Sequence, residues 1–190
     1  QRVRARFGPI NGILHCAGVV RDSLIVNKSL EEAAAVAAPK VRGTIHLDRF
    51  TREDPLDFFA LFSSTAAIVG NRGQSDYAYA NAFMDGFAHM RENLRKQSLR
   101  RGRAISVNWP LWRDGGMRVD AGFQRAIADG TGMRPLSAEG GVNAFFTALA
   151  MDAPQVVVAE GDAEKIRRFF LSENPRSEEH TSELQSPYVI

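Results

Sequence analysis

The 190-residue sequence holds a single cysteine, Cys16, which excludes an internal disulfide and fits a reducing cytoplasm. No apolar run approaches the roughly 18–20 residues that a membrane span requires, and no signal peptide is visible. Net charge is also scarce: 24 Lys and Arg against 22 Asp and Glu leave +2, too little to imply a nucleic-acid partner. The cluster Arg91, Arg95, Lys96, Arg100, Arg101 and Arg103 reads as the solvated end of a helix. No metal site is read. Position 1 is not methionine, and the pattern that follows suggests a start in mid-fold. The remainder is ordinary for a globular chain, with 44% hydrophobic and 24% charged residues and enough length for one sizeable core.

Along the chain, short apolar runs alternate with helical spacing. Residues 1–9 read as the frayed remains of a helix. INGILHC at 10–16 is a buried strand candidate, closed by Ala17-Gly18 as a tight turn. Ser29 is a good N-cap, with Glu31 and Glu32 in the first turn. The spacing predicts a helix over 29–51, with Val36, Val41, Ile45 and Leu47 as its apolar positions. Pro39 should kink or restart it, leaving Lys40 in the first turn of the second half. DFFALFS at 57–63 and RAISVNW at 103–109 are further strands. Between them a helix over 77–97 carries the stripe Phe83, Phe87, Met90 and Leu94.

Residues 110–135 hold five glycines and little periodicity beyond a short helix at 122–128; a connection of that length suggests a lid or binding loop. Ser137 should cap a helix that turns Val142, Phe145, Phe146 and Leu149 to a core. A strand at 156–159 and a helix at 163–171 follow. Strands apolar on both faces, alternating with helices, predict an α/β fold of doubly wound, Rossmann-like parallel strands. Ligands of such sheets bind beyond the carboxyl ends of the strands. Gly18, Ser64 and Pro110 all follow strand ends and should line one crevice.

The most informative stretch is LFSSTAAIVGNRGQSDYAYANAFMD at 61–85. Tyr77 and Asn81 are four apart on a helix, which sets their Cβ atoms about 5–6 Å apart on one face. A hydroxyl is available from the preceding strand end. A phenol, an amide and a hydroxyl so arranged suit proton donation to a carbonyl oxygen. Tyr79 is the rival donor, but its +4 neighbour is Phe83, so it is expected to pack. Ser63 points to the opposite face from Ser64. His15, in an apolar strand, reads as a satisfied core histidine. Asp48, Asp54, Asp57 and Asp85 read as surface groups.

HxAG at 15–18, PKVRGTIHLD at 39–48, FSS at 62–64, GNRGQSDYAYAN at 70–81 and NWPLW at 108–112 occur together in this order. So ordered, they resemble the ketoreductase domain of modular polyketide synthases, a relative of the short-chain dehydrogenases/reductases. NWPLW and the GGM of Gly115–Met117 further resemble synthases whose acyltransferase acts in trans. Most short-chain reductases carry Tyr-x-x-x-Lys, whereas Asn81 occupies that position here. The polyketide ketoreductases exchange the two residues, and Lys40 stands where their lysine comes from the earlier helix.

The resemblance implies a catalytic set of Tyr77, Ser64, Lys40 and Asn81. Tyr77 would donate the proton, Ser64 would hydrogen-bond the carbonyl oxygen, and Asn81 would fix the lysine or a relay water. A free phenol has a pKa of about 10, so Lys40 is expected to lower it. The resemblance also implies NADPH, held by Ala17, Gly18, Lys40, Tyr77 and Pro110. Leu111, Met117 and Asp22 would shape substrate placement and stereochemistry. Asp22 within VRD, with no tryptophan at or near Val69, leans to a D-configured β-hydroxy product. The implied partners are an acyl carrier protein with a phosphopantetheine-bound substrate and other synthase domains.

Two other readings stand beside this one: a stand-alone short-chain reductase of small ketones, and a non-catalytic structural half of a ketoreductase. No G-x-G-x-x-G turn occurs. By the resemblance the chain enters just before the family's fourth strand, so the first strands and the Gly-rich loop are absent and the sheet is incomplete. The strand at 10–16 would then present an unpaired edge, and the 190 residues alone are expected to be marginally stable and inactive. Residues 173–190 read as a flexible tail. RSEEHTSELQS at 176–186 resembles the translation of a common sequencing adapter and is set aside from fold reasoning.

Overall fold

The computed structural model describes residues 2–115 and 119–171. The tail at 173–190, with its segment 176–186, and Met117 therefore lie outside the described residues. A short helix, α1 (Arg2–Phe7), precedes β1 (Gly12–His15), and a 3-10 turn at Ile25–Asn27 leads to α2 (Leu30–Phe50). β2 (Phe58–Ser64), the single-turn α3 (Ala66–Val69), α4 (Ser75–Lys96) and β3 (Arg103–Trp109) follow. The remainder is α5 (Ala121–Thr131), β4 (Met133–Arg134), α6 (Ala138–Ala150), β5 (Gln155–Val157), β6 (Glu160–Gly161) and α7 (Ala163–Leu171).

Four strands form one parallel sheet in the order β1-β2-β3-β5, with His15 opposite Leu61 and Ser64 opposite Trp109. Because side chains alternate along a strand, β2 serves two cores. Ile105, Val107 and Trp109 join Ala60, Ala148 and Val156 under α6. On the other face, Phe59 and Leu61 of β2 pack with Met84, Phe87 and Ala88 of α4. The α/β, Rossmann-like architecture is as expected. β1 pairs only with β2 among the described strands, and its Leu14 is exposed.

Several expectations are corrected. Pro39 lies inside α2, which runs unbroken; its missing N–H costs a single helical bond, and packing of the flanking turns holds the helix. The face that α2 buries is Val36, Lys40, Thr44 and Asp48, an i, i+4 row that is mostly polar, while Ile45 is exposed. Asp48 and Asp54 are buried rather than at the surface.

Arg91 is likewise buried. Its Nε donates to Asp48 Oδ1 at 3.0 Å, and its terminal nitrogens donate to the Arg101 and Gly102 carbonyls. Arg100 shares Asp48, so the basic cluster is partly a buried node rather than a solvated helix end. On α4, Phe87 is buried while Met90 is exposed.

The described part of the 110–135 connection carries more regular structure than its glycines suggest. Asp120 caps α5 through the Gly122 and Phe123 amides, Gly132 ends it at φ +78°, and β4 pairs antiparallel with β6. Ser137 caps α6 as expected, but Val142 and Phe146 face solvent, and only Phe145 and Leu149 reach the core. Among the described residues no helix is long and apolar enough to cross a membrane.

Candidate active site

The capping box of α2 fixes where its polar row meets the sheet. Ser29 Oγ accepts from the Glu32 amide while Glu32 Oε2 accepts from the Ser29 amide. Nearly three turns later Lys40 enters the interior with 3% of its surface exposed. Its Nζ donates to the Phe62 carbonyl of β2 at 2.9 Å and lies over the Tyr77 ring, 5.6 Å from the centroid. Burial lowers the Lys40 pKa to about 8, opposed by the nearby Cys16 and Asp85.

Gly18 explains how the lysine fits. A Cβ there would stand 3.1 Å from Lys40 Cε and 3.5 Å from Nζ. Ala17 and Gly18 are exposed at the end of β1. Beneath them, His15 is buried and its Nε2 donates to the Pro39 carbonyl at 3.0 Å, the satisfied core role expected of it. That bond ties β1 to the residue just before Lys40.

Tyr77 lies in the first turn of α4, buried with Val36 and Ala66. Asn81, one turn on, is fully buried; its Nδ2 donates to the Tyr77 carbonyl at 2.7 Å, while its Oδ1 has no partner among the described residues. Ser64 ends β2 and its Oγ accepts from the Ala66 amide at 3.2 Å. Lys40, Ser64, Tyr77 and Asn81 are thus brought to one place against the carboxyl end of β2. Tyr79 is 66% exposed, so it neither packs as expected nor joins them.

Burial raises the Tyr77 pKa, and nearby Asp22 adds to the rise, while Ser64 and Asn81 oppose it. Neither opposing group forms a well-aligned hydrogen bond with the phenol; both act through their proximity to it. The net shift is upward, so burial outweighs the lowering expected of Lys40. The ammonium lies over the ring rather than against the hydroxyl, and the Phe62 carbonyl takes its hydrogen bond.

A buried polar network that the sequence did not reveal supports this arrangement. Ser63 Oγ donates to the Asn81 carbonyl at 3.2 Å and accepts from Asn108 Nδ2 at 3.0 Å. Asn108 Nδ2 also reaches Asp85 Oδ2 at 2.9 Å, and Ser106 Oγ donates to Asp85 Oδ1 at 2.6 Å. Asp85, read as a surface group, is instead a buried acceptor; burial pushes its carboxyl upward and these donors oppose the rise. Its partners lie more than twenty residues away in sequence, and no local spacing announces them.

Asp22 is exposed and accepts from Gln74 Nε2 at 3.0 Å. Pro110 is buried directly after β3. Leu111 lines a cavity of about 470 Å³ with Trp112, Val119, Gln124 and Pro135, and none of Lys40, Ser64, Tyr77 or Asn81 borders it. Among the described residues no group of three or more His, Cys, Asp or Glu could hold a metal ion.

A family model described as KR domain matches residues 1–114, a span that contains all four converging residues. Polyketide synthase PksN of Bacillus subtilis (strain 168) is 48% identical over 172 residues, which cover 90% of this chain and 3% of that protein. Polyketide synthase PksL of the same strain is 46% identical over 86% of this chain and 4% of its own length. A solved ketoreductase domain from the bacillaene assembly line superposes with a TM-score of 0.86 at 44% identity, over 90% of this chain and 41% of that one. The chain therefore spans a few per cent of the curated relatives and under half of that solved chain. With the family model, the curated relatives and the solved structure in agreement, the chain belongs to the ketoreductase domain family of polyketide synthases.

Proposed function

We propose that this chain supplies the reacting part of a ketoreductase domain in a cytoplasmic, trans-acyltransferase polyketide synthase. The domain reduces a β-ketoacyl group, thioester-linked to the phosphopantetheine arm of an acyl carrier protein, to the β-hydroxyacyl form. The observation that carries this reading is the buried convergence of Lys40 over Tyr77, with Ser64 and the partnerless Asn81 Oδ1 beside them. NADPH, when bound, supplies the hydride to the carbonyl carbon. The exposed Ala17 and Gly18, beside Lys40, would hold the ribose and nicotinamide end of such a cofactor, and the buried Asn81 Oδ1 would accept from the lysine or a relay water.

As the carbonyl carbon is reduced, negative charge gathers on its oxygen. Ser64 hydrogen-bonds that oxygen, and Tyr77 transfers its proton to it. The raised phenol pKa keeps Tyr77 protonated near neutrality, the form a donor requires. Once the proton has left, the Lys40 ammonium stabilises the phenolate. Ala17 and Pro110 border the cofactor side, whereas Asp22 and Leu111 border the acyl side. The product is assigned the D configuration at the hydroxyl carbon, which chiral analysis would read directly.

The test uses the full ketoreductase domain that contains this chain, with a β-ketoacyl thioester and NADPH. Tyr77→Phe should lower turnover by roughly two to four orders of magnitude while leaving NADPH binding intact. Unchanged turnover in that variant would overturn the proposal.

A further inference from the structure

The stretch from Arg21 to Lys28 is strapped to the segment that delivers Tyr77. Asp22 Oδ2 accepts from Gln74 Nε2 at 3.0 Å, and Gln74 Oε1 accepts from Asn71 Nδ2 at 2.9 Å. The Ser23 amide donates to the Gly73 carbonyl at 3.0 Å, with Gly73 held at φ +85°. The innermost contact is an ion pair. Lys28 Nζ donates to Asp76 Oδ2 at 2.9 Å and to the Arg21 carbonyl at 2.6 Å. The other Asp76 oxygen accepts from the backbone N–H of Tyr77 at 2.9 Å.

Both side chains of this pair are only 5% exposed. The loop gains no comparable hold from apolar burial, because Leu24, Ile25 and Val26 are 42%, 72% and 83% exposed. Its position therefore depends on polar contacts. A buried ion pair gains little stability over an apolar pair of similar volume, since desolvation offsets the attraction. What it supplies is a single permitted geometry, here at the residue preceding Tyr77.

We propose that Lys28 and Asp76 are positioning residues that hold the Arg21–Lys28 loop in one register over Tyr77, so that the ketone is presented by one face. This rests on the ketoreductase reading above. In that setting the pair acts on the outcome of reduction through Asp22 and the Tyr77 backbone, without touching the reacting atoms.

The experiment compares the full domain with Lys28→Met and with the double variant Lys28→Met/Asp76→Leu, using a 2-methyl-3-oxoacyl thioester. The single variant strands a buried carboxylate and can fail to fold; the double variant removes both charges, leaves the Tyr77 N–H without its side-chain acceptor, and should stay folded with a slightly lowered thermal midpoint. Expected in the folded double variant are a KM raised on the order of tenfold and a product that shifts from one dominant diastereomer to a mixture. A wild-type diastereomer ratio with a wild-type KM would overturn the inference. Hydrogen exchange at the Ser23 amide gives a readout without turnover: it should accelerate in the double variant, and unchanged protection would also overturn the inference. Failure of the wild-type domain to reduce any β-ketoacyl thioester would instead count against the ketoreductase reading, leaving the exchange result to judge the strap.

Discussion

The Lys40 ammonium lies 5.6 Å from the centre of the Tyr77 ring while donating a 2.9 Å hydrogen bond to the Phe62 carbonyl. Its pKa is lowered from 10.5 to about 8, chiefly by burial. Between those values the unfolded chain binds more protons than the folded one, so stability rises with pH across that window. Turnover should run the other way, falling above about pH 8 as the charge that steadies the phenolate is lost. Lys40→Met should flatten the stability step and remove the alkaline limb. Urea melts of both proteins at about pH 7 and about pH 10 check the sign; parallel curves would refute it.

Gly18→Ala tests the packing around that lysine. The new Cβ would stand 3.1 Å from Lys40 Cε, so the side chain must shift by a few tenths of an ångström. The methyl meets the far end of a flexible chain, and alanine also restricts the unfolded state. The thermal midpoint should therefore hold while turnover falls about tenfold through misplacement of the ammonium. Loss of stability together with full activity would contradict this.

Asp48→Asn should act in the opposite sense, on stability first. Asp48 is the carboxylate for Arg91, which is 1% exposed and lies over the Phe59 ring at 4.5 Å. Removing the charge strands a buried guanidinium, at a cost of about 3–5 kcal/mol. Equilibrium urea unfolding measures it, and a change under about 1 kcal/mol would class the node as an exposed pair.

Asp85→Asn probes the buried network. Replacing the carboxylate leaves one of the Ser106 and Asn108 donors without its acceptor, a loss of about 1–3 kcal/mol. Burial raises the folded carboxyl pKa above the ordinary 3.8, so the native state binds more protons just above that value. Wild-type stability should therefore decline as pH rises through that window, and the variant should lack the decline. Thermal midpoints from about pH 4 to about pH 7 report the difference.

The sheet and the α4 site helix were legible because their signals are local. Continuous apolar runs mark β2 and β3, and Ser29 marks the start of α2. Tyr77 and Asn81 were readable as a pair by their spacing of four. The polar buried row of α2 was not legible, because Lys40, Thr44 and Asp48 look like solvent residues until α4 supplies Arg91 and Tyr77 opposite them. The same holds for Lys28 with Asp76, 48 residues apart. Phe146 misled in the other direction: helical spacing placed it on a core face, while α6 turns it outward. Periodicity tells which residues share a face, but the partner element decides which face is covered.

Phe62 and Ser64 are two residues apart on β2, one holding the lysine by its carbonyl and the other carrying the hydroxyl. The same short length of extended backbone thus gauges the separation between cation and hydroxyl. A slip of β2 against its neighbours would carry both along together, because the ruler belongs to the strand.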